Sequence, residues 1–304
     1  MPDGLQHRHK KSDYPFLLPA VIIVAVMTQV PFLMTLIFSF IRWNLSRPDI
    51  ARIFYGIRNY TYFLRIKSLS LSQLHQFYGV LFQTVVITMM TLFFCSVFGF
   101  LLAILFDHRV PGINIARTLI LGPFFVMSTA SGVIWKTTIL NTTFGWYGVI
   151  AKALGMTPVD LISYYPKATV IALFTWQWLP FFFLVILAGL QGIEKDLIDC
   201  ARIDGASWWQ TTFKIKLPLI VNHLQVAIML GLLFVIKEFG LILTTTAGGP
   251  GTRSYTLPYY VYMEIFSANN VGRASALATM TVLLTLVLVN LIYRSIQRRN
   301  AQYR

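Results

Sequence analysis

Two adjacent ionisable residues, Lys237 and Glu238, interrupt a long apolar stretch of this sequence. Ionisable side chains at membrane depth are costly unless they are paired or face a watery cavity, which makes them candidates for a functional site by default. The alternative is that both lie near the end of the stretch, where they reach the interface or pair with a partner protein. Together with the adjoining Phe239, they are candidates for the wall of a polar pathway through a membrane.

A second polar interruption lies within another apolar stretch, at Trp176, Gln177 and Trp178. Indole rings can stack on a ligand and an amide can form hydrogen bonds with it, so these side chains could hold a carbohydrate. Aromatic residues near the end of a membrane span are also common interface anchors, and that alternative stays open. Trp176 and Gln177 join the pathway candidates.

Chemical catalysis is not predicted. The acidic residues Asp196, Asp199 and Asp204 share one polar segment but have no base or nucleophile beside them. His223 and the other histidines lack the spacing of metal ligands. The sequence contains no Gly-x-x-x-x-Gly-Lys-Ser/Thr loop that could bind the phosphates of ATP. We therefore expect no catalytic residue, no metal site and no cofactor, and a protein that is not itself an enzyme.

The polar segment 191–218 separates two apolar stretches and is too long for a simple turn. Within it, Leu197, Ile198 and Ala201 recur at helical spacing, which predicts a short amphipathic helix over residues 194–203.

Three further residues of this segment predict a corner and a second helix. Gly205 supplies the positive φ that ends a helix. Ser207 is a suitable N-cap for a second helix through Phe213. Pro218 stands where the next apolar span begins, a position that tolerates a missing amide hydrogen. The segment is thus predicted to form two short helices around a glycine corner on the cytoplasmic surface.

A solvated linker would not need apolar residues at helical spacing, whereas a docking element would. We expect a small apolar face formed by Ile198, Ala201 and Ile203. Its charged rim would consist of Asp199, Arg202 and Asp204.

The spacing within this segment resembles a known family motif. Asp199-Cys-Ala, three residues, Gly205, nine residues and Ile215-x-Leu217-Pro218 resemble the EAA loop of binding-protein-dependent ABC importer permeases. Residues 201–210, Ala-Arg-Ile-Asp-Gly-Ala-Ser-Trp-Trp-Gln, are similar to the form found in the maltose- and glycerol-phosphate-type carbohydrate branch. This sequence departs from the motif at Asp199, where the family has Glu, and at Cys200, where it has Ala.

Two further elements extend the resemblance over most of the chain from about Tyr14 onward. Gly56-Ile-Arg-Asn-Tyr60 resembles the branch's Gly-Leu-x-Asn-Phe element after the first span. Thr246-Ala-Gly-Gly-Pro250, followed by Tyr262 and Phe266, resembles its Thr-x-Gly-Gly-Pro loop and the aromatic residues after it.

The resemblance implies a permease that works with a second permease subunit, two ATP-binding subunits and an extracytoplasmic solute-binding protein. The loop would insert into a cleft of the ATP-binding subunit through Asp199, Cys200, Ala201, Arg202, Asp204, Gly205, Ala206, Ser207, Ile215, Leu217 and Pro218. The solute would be a sugar or polyol. The family places the region around Lys237, Glu238 and Phe239 on the translocation route.

The composition places these residues in a membrane. Apolar residues make up 56% of the 304 positions and charged residues 12%, and the mean hydropathy is +0.66. A soluble domain carries about a quarter charged residues, so the surplus apolar surface must face lipid. Stretches of about 20 apolar residues can cross the bilayer as helices. Six stretches qualify: Tyr14–Ile41, Val80–Phe106, Arg117–Leu140, Ala168–Leu190, Leu219–Leu243 and Ala274–Tyr293.

The predicted fold is therefore an all-α polytopic membrane protein with six transmembrane helices and a cytoplasmic coupling loop between spans 4 and 5. We expect a basic cytoplasmic N-terminus (residues 1–13), a six-helix permease domain (14–293) and a cytoplasmic tail (294–304). Lys and Arg are divided almost evenly between the two sides, and the dense basic runs at both ends favour cytoplasmic termini. The inner membrane of a bacterium is the expected location.

Anionic membrane lipid, rather than nucleic acid, is the expected partner of the net charge of +14, because the basic residues lie in short runs between apolar stretches. Cys95 and Cys200 fall in different environments and are expected to be free thiols. The alternative function is an ion-coupled secondary transporter, which would need buried carboxylates in several spans; only Glu238 qualifies.

Overall fold

The computed structural model describes residues 14–49, 52–64, 71–107 and 112–302. The predicted basic N-terminus, residues 1–13, lies outside the described residues. Within these ranges, four helices are long and apolar enough to cross a membrane singly. They are α1 (Tyr14–Ser39), α3 (Leu71–Phe106), α8 (Pro166–Gln191) and α15 (Val271–Gln302). The last helix continues through residues 294–302, which the sequence assigned to a tail.

The predicted third span, a continuous helix over residues 117–140, is wrong in its shape. The structure instead has α4 (Ile113–Phe125) and α5 (Ser128–Ile134), which runs on as a π-helix over Trp135–Ile139. The two halves are bent by 99°. Pro123 removes one helical hydrogen bond, and Val126 and Met127 adopt extended backbone at the break.

The predicted fifth span, residues 219–243, is also broken. α12 (Val221–Val235) is preceded by the connector helix, our name for Trp208–Leu219, and the two are bent by 62°. The connector helix comprises α10 (Trp208–Gln210), a π-helix (Thr211–Lys216) and α11 (Leu217–Leu219). With each bent pair counted as one span, the described residues contain up to six candidate spans, which is the predicted number.

Lys237, Glu238 and Phe239 are not in a helix, contrary to the prediction that they lie within the fifth span. α12 ends at Val235, and α13 (Gly240–Thr244) begins after the break. The break is stabilised locally, since the backbone amide of Gly240 donates to the Glu238 carboxylate at 3.0 Å. A polar side chain that accepts at a helix start satisfies a backbone donor that would otherwise lack a partner.

The remaining elements are short. β1 (Ile41–Arg42) pairs antiparallel with β2 (Ile53–Phe54). The other helices are α2 (Arg58–Leu64), α6 (Trp146–Ala153), α7 (Leu161–Tyr164), α9 (Lys195–Ile203) and α14 (Leu257–Phe266).

The chain forms two compact units. The first contains the described residues before position 66 and Val261–Met280. Asn59 is buried in it, and its side-chain amide donates to the carbonyls of Ser39 at 2.8 Å and Ile41 at 3.0 Å. Arg273 pairs with Glu264 at 3.1 Å, and its guanidinium lies 4.4 Å from the ring centroid of Tyr62.

The second unit, the described residues of 66–260 and 281–302, is built on the packing of α3, α8 and α12. Phe182 of α8 is fully buried and fits against two glycines, because a side chain at Gly99 or Gly231 would lie within 3.0 Å of it. Small residues allow membrane helices to approach closely in this way. Cys95 is buried and Cys200 is exposed, and both are free thiols, as predicted.

Candidate functional site

A cavity of about 440 Å³ lies where the two broken spans meet α8. It belongs entirely to the second unit. The break between α4 and α5 supplies one side, and the residues between α12 and α13 supply another. The lining residues are Phe124, Phe125, Val126, Met127, Ser128, Gln177, Trp178, Phe234, Lys237 and Glu238.

Gln177 reaches this cavity from the middle of α8 and is almost fully buried, with 4% of its surface exposed. Its side-chain amide donates to the backbone carbonyl of Val126 and to the Ser128 hydroxyl, each at 3.1 Å. The carbonyl of Val126 is exposed by the end of α4, so Gln177 satisfies a backbone acceptor that the helix break leaves open.

Ser128 joins the two breaks. Its hydroxyl accepts the hydrogen bond from Gln177 and donates to the Glu238 carboxylate at 2.9 Å. The other oxygen of Glu238 accepts from the Gly240 amide. α5 and α13 can approach because Gly132 and Gly240 lie at their contact, where a side chain would collide with Thr244 or Thr129. The result is a chain of hydrogen bonds from α8 through α5 to α13.

Two buried polar atoms at the cavity have no hydrogen-bond partner among the described residues: the side-chain carbonyl of Gln177 and the indole N–H of Trp178. Buried polar groups are normally paired, since leaving one unpaired costs about 1–3 kcal/mol. Gln177 and Trp178 therefore each hold one hydrogen-bonding atom that no described residue uses, and both atoms are enclosed by protein in this structure.

Aromatic rings form the other part of the cavity wall. Trp178 stacks on Phe234 with ring centroids 5.2 Å apart, and Phe124 meets Trp178 edge-on at 5.7 Å. The ammonium group of Lys237 lies 5.0 Å from the centroid of Phe234. Apolar walls with a few convergent polar groups are typical of small-molecule sites.

The structure brings together three of the five predicted pathway residues: Gln177, Lys237 and Glu238. Trp176 is not among the lining residues, because it lies on another side of α8 and meets Trp135 edge-on at 5.3 Å. Phe239 is the N-cap residue of α13 and is likewise absent from the lining. Trp178, which the sequence analysis considered beside Trp176 and Gln177, is the tryptophan that lines this cavity.

Sequence reasoning missed Ser128, Phe124 and Phe234 as members of this site. A signal for Ser128 was present, since residues 128–132 read Ser-Thr-Ala-Ser-Gly, a run of small and polar residues inside an apolar stretch. The two phenylalanines carried no signal, because phenylalanine is common throughout the spans.

The segment 191–218 adopts the predicted helix, corner and second helix. α9 covers Lys195–Ile203, and Gly205 has a φ of +76°. Ser207 caps the connector helix, with its hydroxyl accepting from the Gln210 amide while the Gln210 side chain accepts from the Ser207 amide. The second helix extends beyond the predicted end at Phe213 to Leu219.

The predicted apolar face of α9 is divided between two sides of the helix. Ala201 is 8% exposed and Ile198 is half-buried, whereas Ile203 is 85% exposed. Residues 198 and 201 are one turn apart, but residue 203 is rotated by about 200° from residue 201. Ala201 therefore faces the interior of the protein. Ile203 and Leu197 are the apolar side chains that remain exposed on the surface of α9.

The connector helix is attached to the end of α3. Lys216 pairs with Asp107 at 2.7 Å, and both side chains are largely buried. Phe213 lies against Phe100, with ring centroids 6.2 Å apart. Exposed Arg202 and Asp199 form a pair at 3.2 Å within α9.

Comparison with known protein families gives a match over residues 68–302 to the family described as binding-protein-dependent transport system inner membrane component. Among individual relatives, the chain is 30% identical to the trehalose/maltose transport system permease protein MalF of Thermococcus litoralis, over 93% of this chain and 92% of that protein. It is 28% identical to the sn-glycerol-3-phosphate transport system permease protein UgpA of Brucella abortus, over 71% of this chain and 74% of the relative.

A solved structure has a similar fold. It is a bacterial alginate ABC transporter in complex with an alginate pentasaccharide-bound periplasmic protein, matched with a TM-score of 0.76 and 21% identity. The match covers 94% of this chain and 93% of that chain.

Proposed function

Because this chain belongs to the family of binding-protein-dependent transport system inner membrane components, it is a permease subunit of an ABC importer, and we propose that it carries a sugar, a polyol or a related solute. It would form half of the translocation pathway together with a second permease subunit. Two separate ATP-binding subunits would hydrolyse ATP, and a solute-binding protein would deliver the solute. Nothing in the sequence relationships supports the ion-coupled alternative.

The proposed solute class is based on the cavity at the two broken spans. The unpaired acceptor of Gln177 and the unpaired donor of Trp178 would suit hydroxyl groups once a movement of the cavity wall uncovers them. The stacked Trp178–Phe234 pair suits the apolar face of a sugar ring. The names of the relatives, which include a trehalose/maltose permease and a glycerol-3-phosphate permease, agree with this solute class.

We propose that the segment 191–218 docks on an ATP-binding subunit. Its exposed apolar residues Leu197 and Ile203, with Asp199, Arg202 and Asp204 beside them, give α9 the apolar centre and charged rim of a small interface. Gly205, Ala206 and Ser207 would set the angle of α9, while Ile215, Leu217 and Pro218 would carry its movement into α12. Exposed Cys200 lies on the same helix.

In this arrangement the segment 191–218 faces the cytoplasm, and both termini lie on that side of the bacterial inner membrane. The connection from the docking helix to the cavity runs through α12, which begins after the connector helix and ends two residues before Lys237. Nucleotide-driven movement of α9 could thus alter the break that holds Glu238.

The test uses the complete transporter, purified from its host with its neighbouring subunits. Gly205→Val places a β-branched residue at a φ of +76° and should misdirect α9 without affecting membrane insertion. Solute-stimulated ATP hydrolysis should be lost. Gly192→Val is the matched control, because Gly192 lies at the start of the same segment with a φ of −82° and room for a side chain. Unchanged stimulation in Gly205→Val would show that docking does not depend on this corner.

A further inference from the structure

The connector helix carries its aromatic side chains on the outside and its threonines on the inside. Trp208, Trp209 and Phe213 are 52%, 65% and 45% exposed, whereas Thr211 and Thr212 are 7% and 2% exposed. A helix that faces water has the opposite arrangement, with polar residues outside. The exposed side of the connector helix is therefore suited to an apolar environment.

The three exposed aromatic residues form one continuous surface, which we call the aromatic ridge (Trp208, Trp209 and Phe213). Trp209 and Phe213 are stacked with ring planes at 8° and centroids 5.6 Å apart. Trp208 meets Trp209 edge-on at 4.8 Å. Because the rings hold one another in place, little side-chain entropy remains to be lost when the ridge is covered.

The contact with α3 places the ridge close to hydrocarbon. Phe213 lies against Phe100, which is six residues, or about 9 Å of helix rise, before the last residue of α3 at Phe106. α3 is one of the apolar helices that can span a membrane. Phe213 is thus at the level of the outermost turns of a span, and Trp209 is stacked on it.

The chemistry of the ridge fits a bilayer better than a protein surface. Tryptophan is enriched at the membrane interface, where its ring is buried among lipid groups and its N–H reaches water. Exposed Lys214 follows Phe213 directly and can approach the phosphate of a lipid headgroup. The charged rim that would suit a protein partner belongs to α9 and not to the ridge.

We propose that the aromatic ridge is a lipid-binding surface that holds the connector helix in the membrane interface. The Trp209–Phe213 stack lies among the upper acyl chains and Lys214 lies at the headgroups. This surface goes beyond the proposed docking of α9, and it gives the coupling segment a fixed contact with the bilayer about which α9 can move.

Site-directed spin labelling in lipid nanodiscs of phosphatidylethanolamine and phosphatidylglycerol tests the proposal on the full chain. One cysteine would be introduced at a time, as Trp209→Cys or Phe213→Cys, in a Cys200→Ser background with buried Cys95 left in place. Ile203→Cys is the matched control, since Ile203 is also apolar and 85% exposed but lies off the ridge. The ratio of collisions with oxygen to collisions with a water-soluble nickel chelate should be severalfold higher at positions 209 and 213 than at 203.

Equal ratios at the three positions would overturn the proposal, because the ridge would then face water. The proposal would also be overturned if addition of an ATP-binding subunit abolished the oxygen collisions at positions 209 and 213. The ridge would then be covered by that protein and not by lipid. A second measurement avoids the cysteine variants. Lipids brominated on the acyl chain should quench tryptophan fluorescence less in Trp209→Phe than in the unaltered chain, and equal quenching would contradict insertion. Neither readout depends on transport, so failure of the proposed function would leave them unaffected.

Discussion

Ser128 is the residue on which the polar contacts of the cavity depend, because it connects Gln177 of α8 with Glu238 at the break after α12. Gln177 and Glu238 were candidates from the sequence alone, since a polar residue within an apolar stretch is itself a signal of function. It did not identify Ser128. Serine is tolerated almost anywhere in a membrane helix, and the contact joins positions 110 residues apart.

Ser128→Ala should weaken solute-stimulated ATP hydrolysis. It should also lower the free energy of unfolding of the protein by about 1–2 kcal/mol, because the Glu238 carboxylate loses a hydrogen-bond donor. The change would be measured as reduced stimulation and a lower Tm in detergent. Ser131→Ala is a suitable control, since Ser131 lies on the same helix, is also buried, and has no hydrogen-bond partner among the described residues for its hydroxyl. A larger loss in Ser131→Ala would contradict the role of Ser128.

Glu264 is a buried carboxylate outside the membrane spans. Burial raises its pKa, and the charge and hydrogen bond of Arg273 offset that rise only in part. Because the pKa is higher in the folded chain than in the unfolded chain, the folded chain binds this proton more tightly. The resulting stabilisation is complete below the ordinary pKa of a glutamate and is lost as the pH rises through the folded-state value.

Glu264→Gln cannot ionise and should not show this loss. The Tm of the variant, relative to that of the unaltered chain, should therefore increase as the pH rises from about 4.5 toward neutrality. Glu194→Gln, at an exposed position, controls for the loss of one negative charge. A constant difference in Tm over this pH range would show that Glu264 does not titrate as stated.

Among the elements, α9 and the start of the connector helix could be predicted because their signals are local. Gly205 ends one helix and Ser207 caps the next, and each acts within four residues of its own position. The bend in the third span could not be predicted in the same way, because it occurs inside an apolar stretch of sufficient length and hydropathy gives the same signal for a straight helix as for a bent pair. The break after α12 coincides with Lys237 and Glu238, which were recognised as a polar interruption but not as the end of a helix.

The ion pair between Asp107 and Lys216 is the element-scale contact that fixes the connector helix to α3. Breaking a largely buried pair leaves one charge without its partner, which costs more than breaking an exposed pair. Asp107→Asn should therefore lower stability by about 2 kcal/mol, whereas Asp199→Asn, from the exposed pair of α9, should change it by less than about 0.5 kcal/mol. Thermal unfolding in one detergent compares the two.

Reversal of the charges distinguishes the pair from other effects of the substitution. The double variant Asp107→Lys with Lys216→Asp should recover part of the stability lost in Asp107→Lys alone. If the double variant is less stable than either single variant, the two side chains do not act as a pair.

At the scale of the whole molecule, the composition and the six apolar stretches were sufficient to predict a membrane bundle. The cavity is formed by the irregular segments between helices and could not be predicted from the bundle alone. Extended backbone at residues 126–127 and the non-helical residues 236–239 leave peptide groups outside regular helical bonding. Within a membrane, such backbone is tolerated where it is covered by protein or lines a watery cavity.

We therefore expect water to reach the break between α12 and α13. Lys237→Cys, in a Cys200→Ser background with buried Cys95 left in place, should react with a charged, water-soluble thiosulfonate reagent in proteoliposomes, because the reaction requires a hydrated thiolate. Leu286→Cys provides the control, since Leu286 is 60% exposed on an apolar helix that can span the membrane, where the exposed side chain faces lipid. Labelling at 237 but not at 286 is the expected result. Because Lys237 and Glu238 are adjacent and share the cavity wall, an excess of the transported solute should slow labelling at 237. If position 237 reacts no faster than position 286, the break is not hydrated and the pathway must run elsewhere in the bundle.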